Sequence, residues 1–404
     1  MERLKKEAME NKMRFLILTS DSGFGHRSAA VSVSKALDVL YGDQQANIVV
    51  NPILEGGSLS LMKPIEKNYD KGVKNIPTLW RFGYEVSDSR QISELMESAL
   101  TLLLQRNIGE AVKSFLPHGI LITNPMFNAP AGKIRHDHNP AVPLYAVVTD
   151  LADVHSLWFA PGPDLFFLAS DWVKVKAREN KVPLRKLNVS GIPVSSKFAL
   201  NQQEKSSLRA DLGLNPDLTT ILFVSSVRVE HVLENLHALD GLDFPFQVAV
   251  IAGGNEDLYQ ALSADHFNFP IVIKNFVDNM ADWMLAADLL VSKAGGLILS
   301  EGLAAGLPIL LIDFLPGVEE GNARFVTSHQ AGALVQNPGE FATMIEFWLK
   351  DQAVQLERTA ASSKLIGKPE AAFTVAKALW EAAQKTPKPK KTESDQSTIL
   401  SRSG

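Results

Sequence analysis

Three stretches of the chain bring glycines together with charged or hydroxyl side chains at spacings that chemistry could use. The first runs from Leu289 to Asn322. It holds apolar Leu289-Leu290-Val291, the turn Ser292-Lys293-Ala294-Gly295-Gly296, then Ser300-Glu301, a second apolar run from Pro308 to Ile312, and Pro316-Gly317-Val318-Glu319-Glu320-Gly321-Asn322. Two strands framing a glycine turn and a helix aim the unpaired N–H groups of that helix's first turn past the strand ends, where an anion can sit. Lys293 adds positive charge beside the turn. Glu301, about a turn and a half along the helix, is a carboxylate placed for diol hydroxyls such as those of a ribose. A nucleoside diphosphate satisfies both features, although an ordinary βαβ unit whose glycines serve only tight turns would read the same way.

The second stretch is Ser20-Asp21-Ser22-Gly23-Phe24-Gly25-His26. It separates an apolar run, Met13 to Thr19, from a helical one, Arg27 to Leu40, that sets Ala30, Val33, Leu37 and Leu40 on one face. Gly23 and Gly25 allow backbone to approach a ligand at the carboxyl end of a strand, where open α/β sheets bind. His26 is either a catalytic or acceptor-positioning group or a residue that hydrogen-bonds its own loop. The third stretch, Thr149 to Phe159, follows the buried run Leu144 to Val148. Asp150 and His155 supply a strand-end carboxylate near an imidazole, the pair that general base work needs; equally, Asp150 could cap the next turn and His155 could pack in the core.

These stretches need a scaffold, and the apolar runs supply one. Further strands are expected at Ile48 to Ile53, Gly119 to Asn124 and Leu165 to Ser170, with helices at Ile92 to Leu104 and Trp172 to Asn180. A second series of runs begins at Thr220 to Val224, continues through Val248 to Ile251, and ends in helices at Glu340 to Leu349 and Pro369 to Ala383. The plan is α/β, with two doubly wound, Rossmann-like units facing a cleft. The expected divisions are an N-terminal extension (1–12), a first domain (13–195), a second domain (196–370), a closing helix (371–384) and a disordered tail (385–404) rich in Lys, Pro, Ser and Thr.

Composition bounds the function. With 404 residues, 46% of them hydrophobic, the chain can bury large cores. A net charge of −5 gives no global electrostatic case for nucleic acid. The absence of cysteine excludes disulfides and thiolate metal sites and fits a reducing cytoplasm. No apolar run reaches the length of a membrane span, so a soluble or peripheral protein is expected.

As ordered blocks, these residues resemble the family 28 glycosyltransferases, and within them the monogalactosyldiacylglycerol synthase and processive diacylglycerol glucosyltransferase group. The blocks are Thr19 to Ala30, Thr149 to Asp164, Gly191-Ile192-Pro193-Val194, Ala252 to Glu256, Asn275 to Met280 and the Leu289 to Asn322 stretch. The resemblance implies the GT-B fold and an inverting transfer of a hexose from a UDP-sugar to a lipid such as diacylglycerol. The UDP-sugar would be a substrate, with no cofactor. Gly23, Gly25, Lys293, Gly295, Gly296, Ser300, Glu301, Val318, Glu319 and Asn322 would face the donor, as would Arg228 and, near the base, Phe276 and Val277. His26, Asp150 and His155 become the catalytic candidates. The segment from Glu55 to Arg106 resembles the acceptor-side insertion, with Tyr69, Trp80 and Tyr84, joined by Trp158, on the acceptor or membrane side. Aromatics among basic residues suit a headgroup layer, although a helical excursion packed on its own domain is the alternative. Such an enzyme would work in the cytoplasm, peripherally on the inner face of the membrane.

The chain departs from the family pattern at three places. Asn124-Pro125 replaces His-Pro. Ser225-Ser226-Val227-Arg228-Val229-Glu230 replaces a glycine-rich turn, leaving Arg228 either to contact a diphosphate as a charge or to face solvent. Val318 stands where the family has a glutamine for the donor's sugar hydroxyls, and a valine cannot make that bond. No Asp-x-Asp metal motif occurs in the chain, so leaving-group charge would fall to the helix beginning near Gly295 and Gly296. A protein of the same fold that binds a nucleotide or lipid without transferring sugar is the alternative reading.

Overall fold

Apolar runs buried on both faces build two parallel sheets, as residues such as Phe15, Leu16, Ile17 and Leu18, all fully buried, require. The computed structural model describes residues 12–21, 24–53, 90–315, 317 and 319–386. The sequence expectations for the extension, Gly23, Tyr69, Trp80, Tyr84, Val318 and nearly all of the tail lie outside the described residues.

The first sheet comprises β1 (Met13–Leu18), β2 (Gln45–Val50), β3 (Gly119–Ile122), β4 (Leu144–Val147), β5 (Leu165–Leu168) and β6 (Leu187–Val189), in the order β2-β1-β3-β4-β5-β6. The second comprises β7 (Thr219–Val224), β8 (Phe246–Ile251), β9 (Ile271–Lys274), β10 (Leu289–Lys293), β11 (Ile309–Asp313) and β12 (Gly332–Leu334), in the order β12-β11-β10-β7-β8-β9. In each sheet the strand order reverses once, between β1 and β3 and between β7 and β10. Open α/β sheets bind ligands at the carboxyl ends of the strands flanking such a reversal. The glycine loops singled out in the sequence follow β1 and β10.

Five helices position the site or brace the sheets that carry it. Helix α1 (Phe24–Tyr41) leaves the first loop, and α2 (Arg90–Phe115) covers one face of the first sheet. Helix α3 (Gly296–Ala305) leaves the second glycine turn, α4 (Glu320–Ser328) follows β11, and α5 (Ala371–Gln384) ends the described helices. Helix α2 extends well past the expected Leu104, because buried Leu100, Leu104, Ile108 and Val112 continue one stripe at four-residue spacing through Asn107 and Gly109. The β2 strand begins three residues earlier than expected, at Gln45, whose partner on β1 is Met13.

Helix α5 returns across the molecule to the first sheet. Its Phe373, Leu379 and Trp380 join Phe15, Ile17, Leu37, Leu121 and Phe167 in one core. The Trp380 ring stacks on Tyr41 with centroids 3.9 Å apart, and a Cβ on Gly119 would meet Leu379 at 3.0 Å. The amphipathic pattern of 371–384 is thus satisfied by a domain far away in sequence. Replacing Trp380 with alanine should cost about 3–5 kcal/mol, seen as a shift of first-domain unfolding to lower urea in circular dichroism. An unchanged urea midpoint would show that α5 does not anchor this sheet.

Candidate functional site

At the carboxyl ends of β1, β3 and β4, short hydrogen bonds fix the polar side chains. Asn124 is buried, its Nδ2 donating to Ser20 Oγ at 2.6 Å while its Oδ1 accepts from Met126 N. That side chain ties two loops together. His26, in the first turn of α1, sets Nδ1 2.8 Å from Thr149 Oγ1 and also hydrogen-bonds the Thr123 backbone. Burial pushes its imidazole down to about 4 against the opposing effect of that backbone bond, so the ring is neutral at neutral pH. Asp150 Oδ2 accepts a 2.6 Å hydrogen bond from Trp158 Nε1. Burial pushes the Asp150 carboxyl up to about 6, with the Trp158 bond acting in the other direction. A carboxylate that titrates this near neutrality can both accept and release a proton.

One candidate gains a local structural role on this side, and one expectation changes. His155 Nδ1 accepts from Leu157 N at 3.1 Å and so caps the short turn at Ser156–Phe159. Trp158, expected on the acceptor or membrane side, is only 1% exposed. Its indole cannot face a lipid surface; it packs 5.9 Å from the His26 ring and holds Asp150.

The second domain supplies the glycine turn. Gly295 precedes the first residue of α3, and Ser300 Oγ donates to Gly296 O at 2.8 Å, a bond back to the preceding turn. Lys293 forms a close ion pair with Glu319, whose other oxygen accepts from Leu315 N at 3.1 Å. Lys293 therefore reaches the turn already neutralised by a carboxylate. Asn322 Nδ2 donates to Ala294 O at 3.0 Å, while its buried Oδ1 has no partner among the described residues. Glu301 is 9% exposed, and burial alone pushes its carboxyl up to about 8. A buried acid without a compensating bond stays protonated until a ligand offers it donors.

The two halves meet. A Cβ on Gly296 would lie 3.1 Å from Thr149 O, and one on Gly25 would lie 3.9 Å from Leu297. The first turns of α1 and α3 thus converge beside Asp150. A Cβ on Gly321 would collide with Asp153 Oδ2, so any side chain there would displace that carboxylate. The same oxygen is 3.4 Å from Arg324 Nη2. Trp172 of the first domain packs edge-on against Phe325, centroids 5.4 Å apart. Other candidates lie further along the second sheet. Arg228 is half-buried in the turn after β7, and that turn leaves no room for a Cβ on Gly253, which would run into Ser225 O. Phe276 is exposed and Val277 half-buried, both just beyond β9.

Sequence reasoning missed Thr149 as the partner of His26 and Asp153 as the neighbour of Gly321. In the sequence Thr149 stands out only as the residue before Asp150. Nothing in the spacing marks Asp153, because its partner belongs to the other domain.

Comparison with known proteins follows the same division. Residues 26–194 match the family model for monogalactosyldiacylglycerol (MGDG) synthase, and residues 224–371 match the glycosyltransferase family 28 C-terminal domain. Monogalactosyldiacylglycerol synthase 2 of Arabidopsis thaliana is 27% identical over 385 residues, covering 93% of this chain and 82% of that protein. Among solved structures, MurG of Acinetobacter baumannii is similar with a TM-score of 0.56 at 17% identity, covering 92% of this chain and 99% of that one. S. aureus MnaA bound to UDP gives 0.58 at 13% identity, covering 94% and 100%. Likeness at those identities establishes the GT-B fold and no more.

The Glu301 carboxyl makes stability depend on pH in a defined direction. An acid whose folded pKa exceeds its unfolded value contributes stability in full below the unfolded value and loses it as pH rises toward the folded one. For Glu301 that window runs from 4.5 to about 8. Glu301→Gln should therefore match the parent's Tm near pH ~5 and exceed it near pH ~8.5 in ligand-free thermal scans. Equal Tm values at both pH values would mean that the carboxyl is hydrated.

Proposed function

Because the chain belongs to the family 28 glycosyltransferases, matching the MGDG synthase model over its first half and the family 28 C-terminal model over its second, we propose that it transfers a hexose from a UDP-sugar to a lipid acceptor such as diacylglycerol, with inversion. The observation that carries this reading is the approach of Gly296, at the start of α3, to Thr149 O and Leu151 N, which brings a helix N-terminus against the backbone that carries Asp150. A leaving diphosphate and a general base need this juxtaposition.

In the reaction, the diphosphate rests on the free N–H groups of the first turn of α3, whose dipole favours negative charge. The ribose hydroxyls donate to Glu301, which ionises as it gains these partners. Asp150 takes the proton of the acceptor hydroxyl as its oxygen forms a bond to the anomeric carbon and the bond from that carbon to the phosphate oxygen breaks. UDP departs with the bonding pair, its charge stabilised by the helix terminus. His26, neutral and held by Thr149 and Thr123, positions the loop and the acceptor beside the base. Lys293 adds its charge to the phosphates only by sharing it with Glu319.

Among the described residues no helix is long and apolar enough to cross a membrane. A lipid acceptor then places the enzyme at a membrane surface, working from the aqueous side, and we assign it to the cytoplasmic face. The MGDG synthase match over the first domain supports a lipid acceptor, and the glycosyltransferase family 28 C-terminal match over the second, which contains the glycine turn before α3, supports a nucleotide-sugar donor.

Two measurements test the reading. Calorimetric titration should show UDP binding that Glu301→Ala abolishes. Transfer of labelled hexose to diacylglycerol vesicles should rise through pH ~6, following Asp150 ionisation, and Asp150→Asn should lower kcat by about 10²–10⁴ while leaving UDP affinity intact. UDP binding without transfer to lipid would instead favour a binding protein of this fold. No UDP binding at millimolar concentration would remove the donor site altogether.

A further inference from the structure

We propose that Asp153 is a specificity-determining residue, a carboxylate of the first domain that accepts hydrogen bonds from the donor hexose across the cleft. The inference rests on the transferase reading and names the side chain that reads the sugar. If the diphosphate sits on the first turn of α3 and Asp150 accepts the acceptor's proton, the hexose must occupy the space between them. That space is bounded on one side by the segment after β4, which carries both Asp150 and Asp153. On the other side it is bounded by the start of α4, tied to the glycine turn through Asn322 and Ala294 O. Asp153 Oδ2 reaches this boundary, pressed against Gly321 where a side chain would push it away.

Of the other candidate acceptors on that boundary, Glu319 is engaged, paired with Lys293 and accepting from Leu315 N, whereas Asn322 Oδ1 is buried without a partner among the described residues and remains a second acceptor beside Asp153. Among the described residues Asp153 makes one long polar contact, 3.4 Å to Arg324 Nη2, across a pair whose side chains are 42% and 64% exposed. Such a contact is weak, and it leaves most of the carboxylate's lone pairs open to hydroxyl donors. A carboxylate accepting from sugar hydroxyls makes a charge-assisted bond, stronger than the neutral amide bond it replaces.

The test compares Asp153→Asn and Arg324→Ala with the parent protein, measuring dissociation constants for UDP, UDP-glucose and UDP-galactose. Asp153→Asn should weaken whichever UDP-hexose the parent prefers by about tenfold or more, shrink the parent's discrimination between the two, and leave UDP within about twofold. Arg324→Ala, which breaks the interdomain ion pair but keeps the carboxylate, should preserve that discrimination. If Asp153→Asn weakens UDP as much as the sugar nucleotides, or if Arg324→Ala reproduces its effect, Asp153 only latches the domains and the proposal fails. A parent protein that binds none of the three ligands would instead overturn the underlying transferase reading, and one that binds UDP while Asp153→Asn changes nothing would overturn this inference alone.

Discussion

The approach of Gly296 to the carbonyl of Thr149 is the constraint on which the rest of the site depends. It is a contact between backbones of two domains, so close that a Cβ at Gly296 would sit 3.1 Å from that oxygen. A larger residue would hold the domains apart, and the helix terminus would no longer lie beside Asp150. Around this contact, Gly25 against Leu297 and Gly321 against Asp153 repeat the theme. At each of the three places a glycine of one domain lets the other come near. Trp172 packing on Phe325 adds an apolar brace behind α4.

Desolvation at this junction sets the protonation states that chemistry needs. His26 and Asp150 lie near one another yet are driven in opposite directions, the imidazole to about 4 and the carboxyl to about 6. Burial disfavours charge in both, and the two groups carry charge in opposite protonation states. The result is a neutral ring beside a carboxylate that can take a proton, a separation of roles produced by environment. Glu301 illustrates the same physics in the second domain. Burial keeps its carboxyl neutral, and in the proposed reaction this links nucleotide binding to its ionisation.

Helix α5 explains how two domains stay in register without a large insertion between their sheets. By joining the core of the first sheet after the chain has completed the second, it ties the domains at a point far from the glycine turns. The chain thus crosses between the two sheets twice, once after β6 and once before α5.

Much of this was legible in the sequence for a physical reason: strands buried on both faces must be continuous apolar runs, and turns that approach a ligand or another backbone must carry glycine. Met13 to Thr19 and Leu289 to Val291 therefore announced the strands, and Gly25, Gly295 and Gly296 the places of close approach. The α/β plan with two Rossmann-like units and the resemblance to family 28 followed from such local rules read in order. Short edge strands such as β12 had too few residues to announce themselves. What tertiary structure alone decided is partnership. Residue type placed Trp158 among exposed aromatics, but packing buried it as the donor to Asp150; Lys293 looked like a free cation until the fold brought Glu319 to it. Asp153 has no local signature at all, because its neighbour Gly321 belongs to the other domain. Hydrogen bonds, ion pairs and desolvation depend on distances between segments remote in sequence, and only the closed arrangement of both domains fixes those distances.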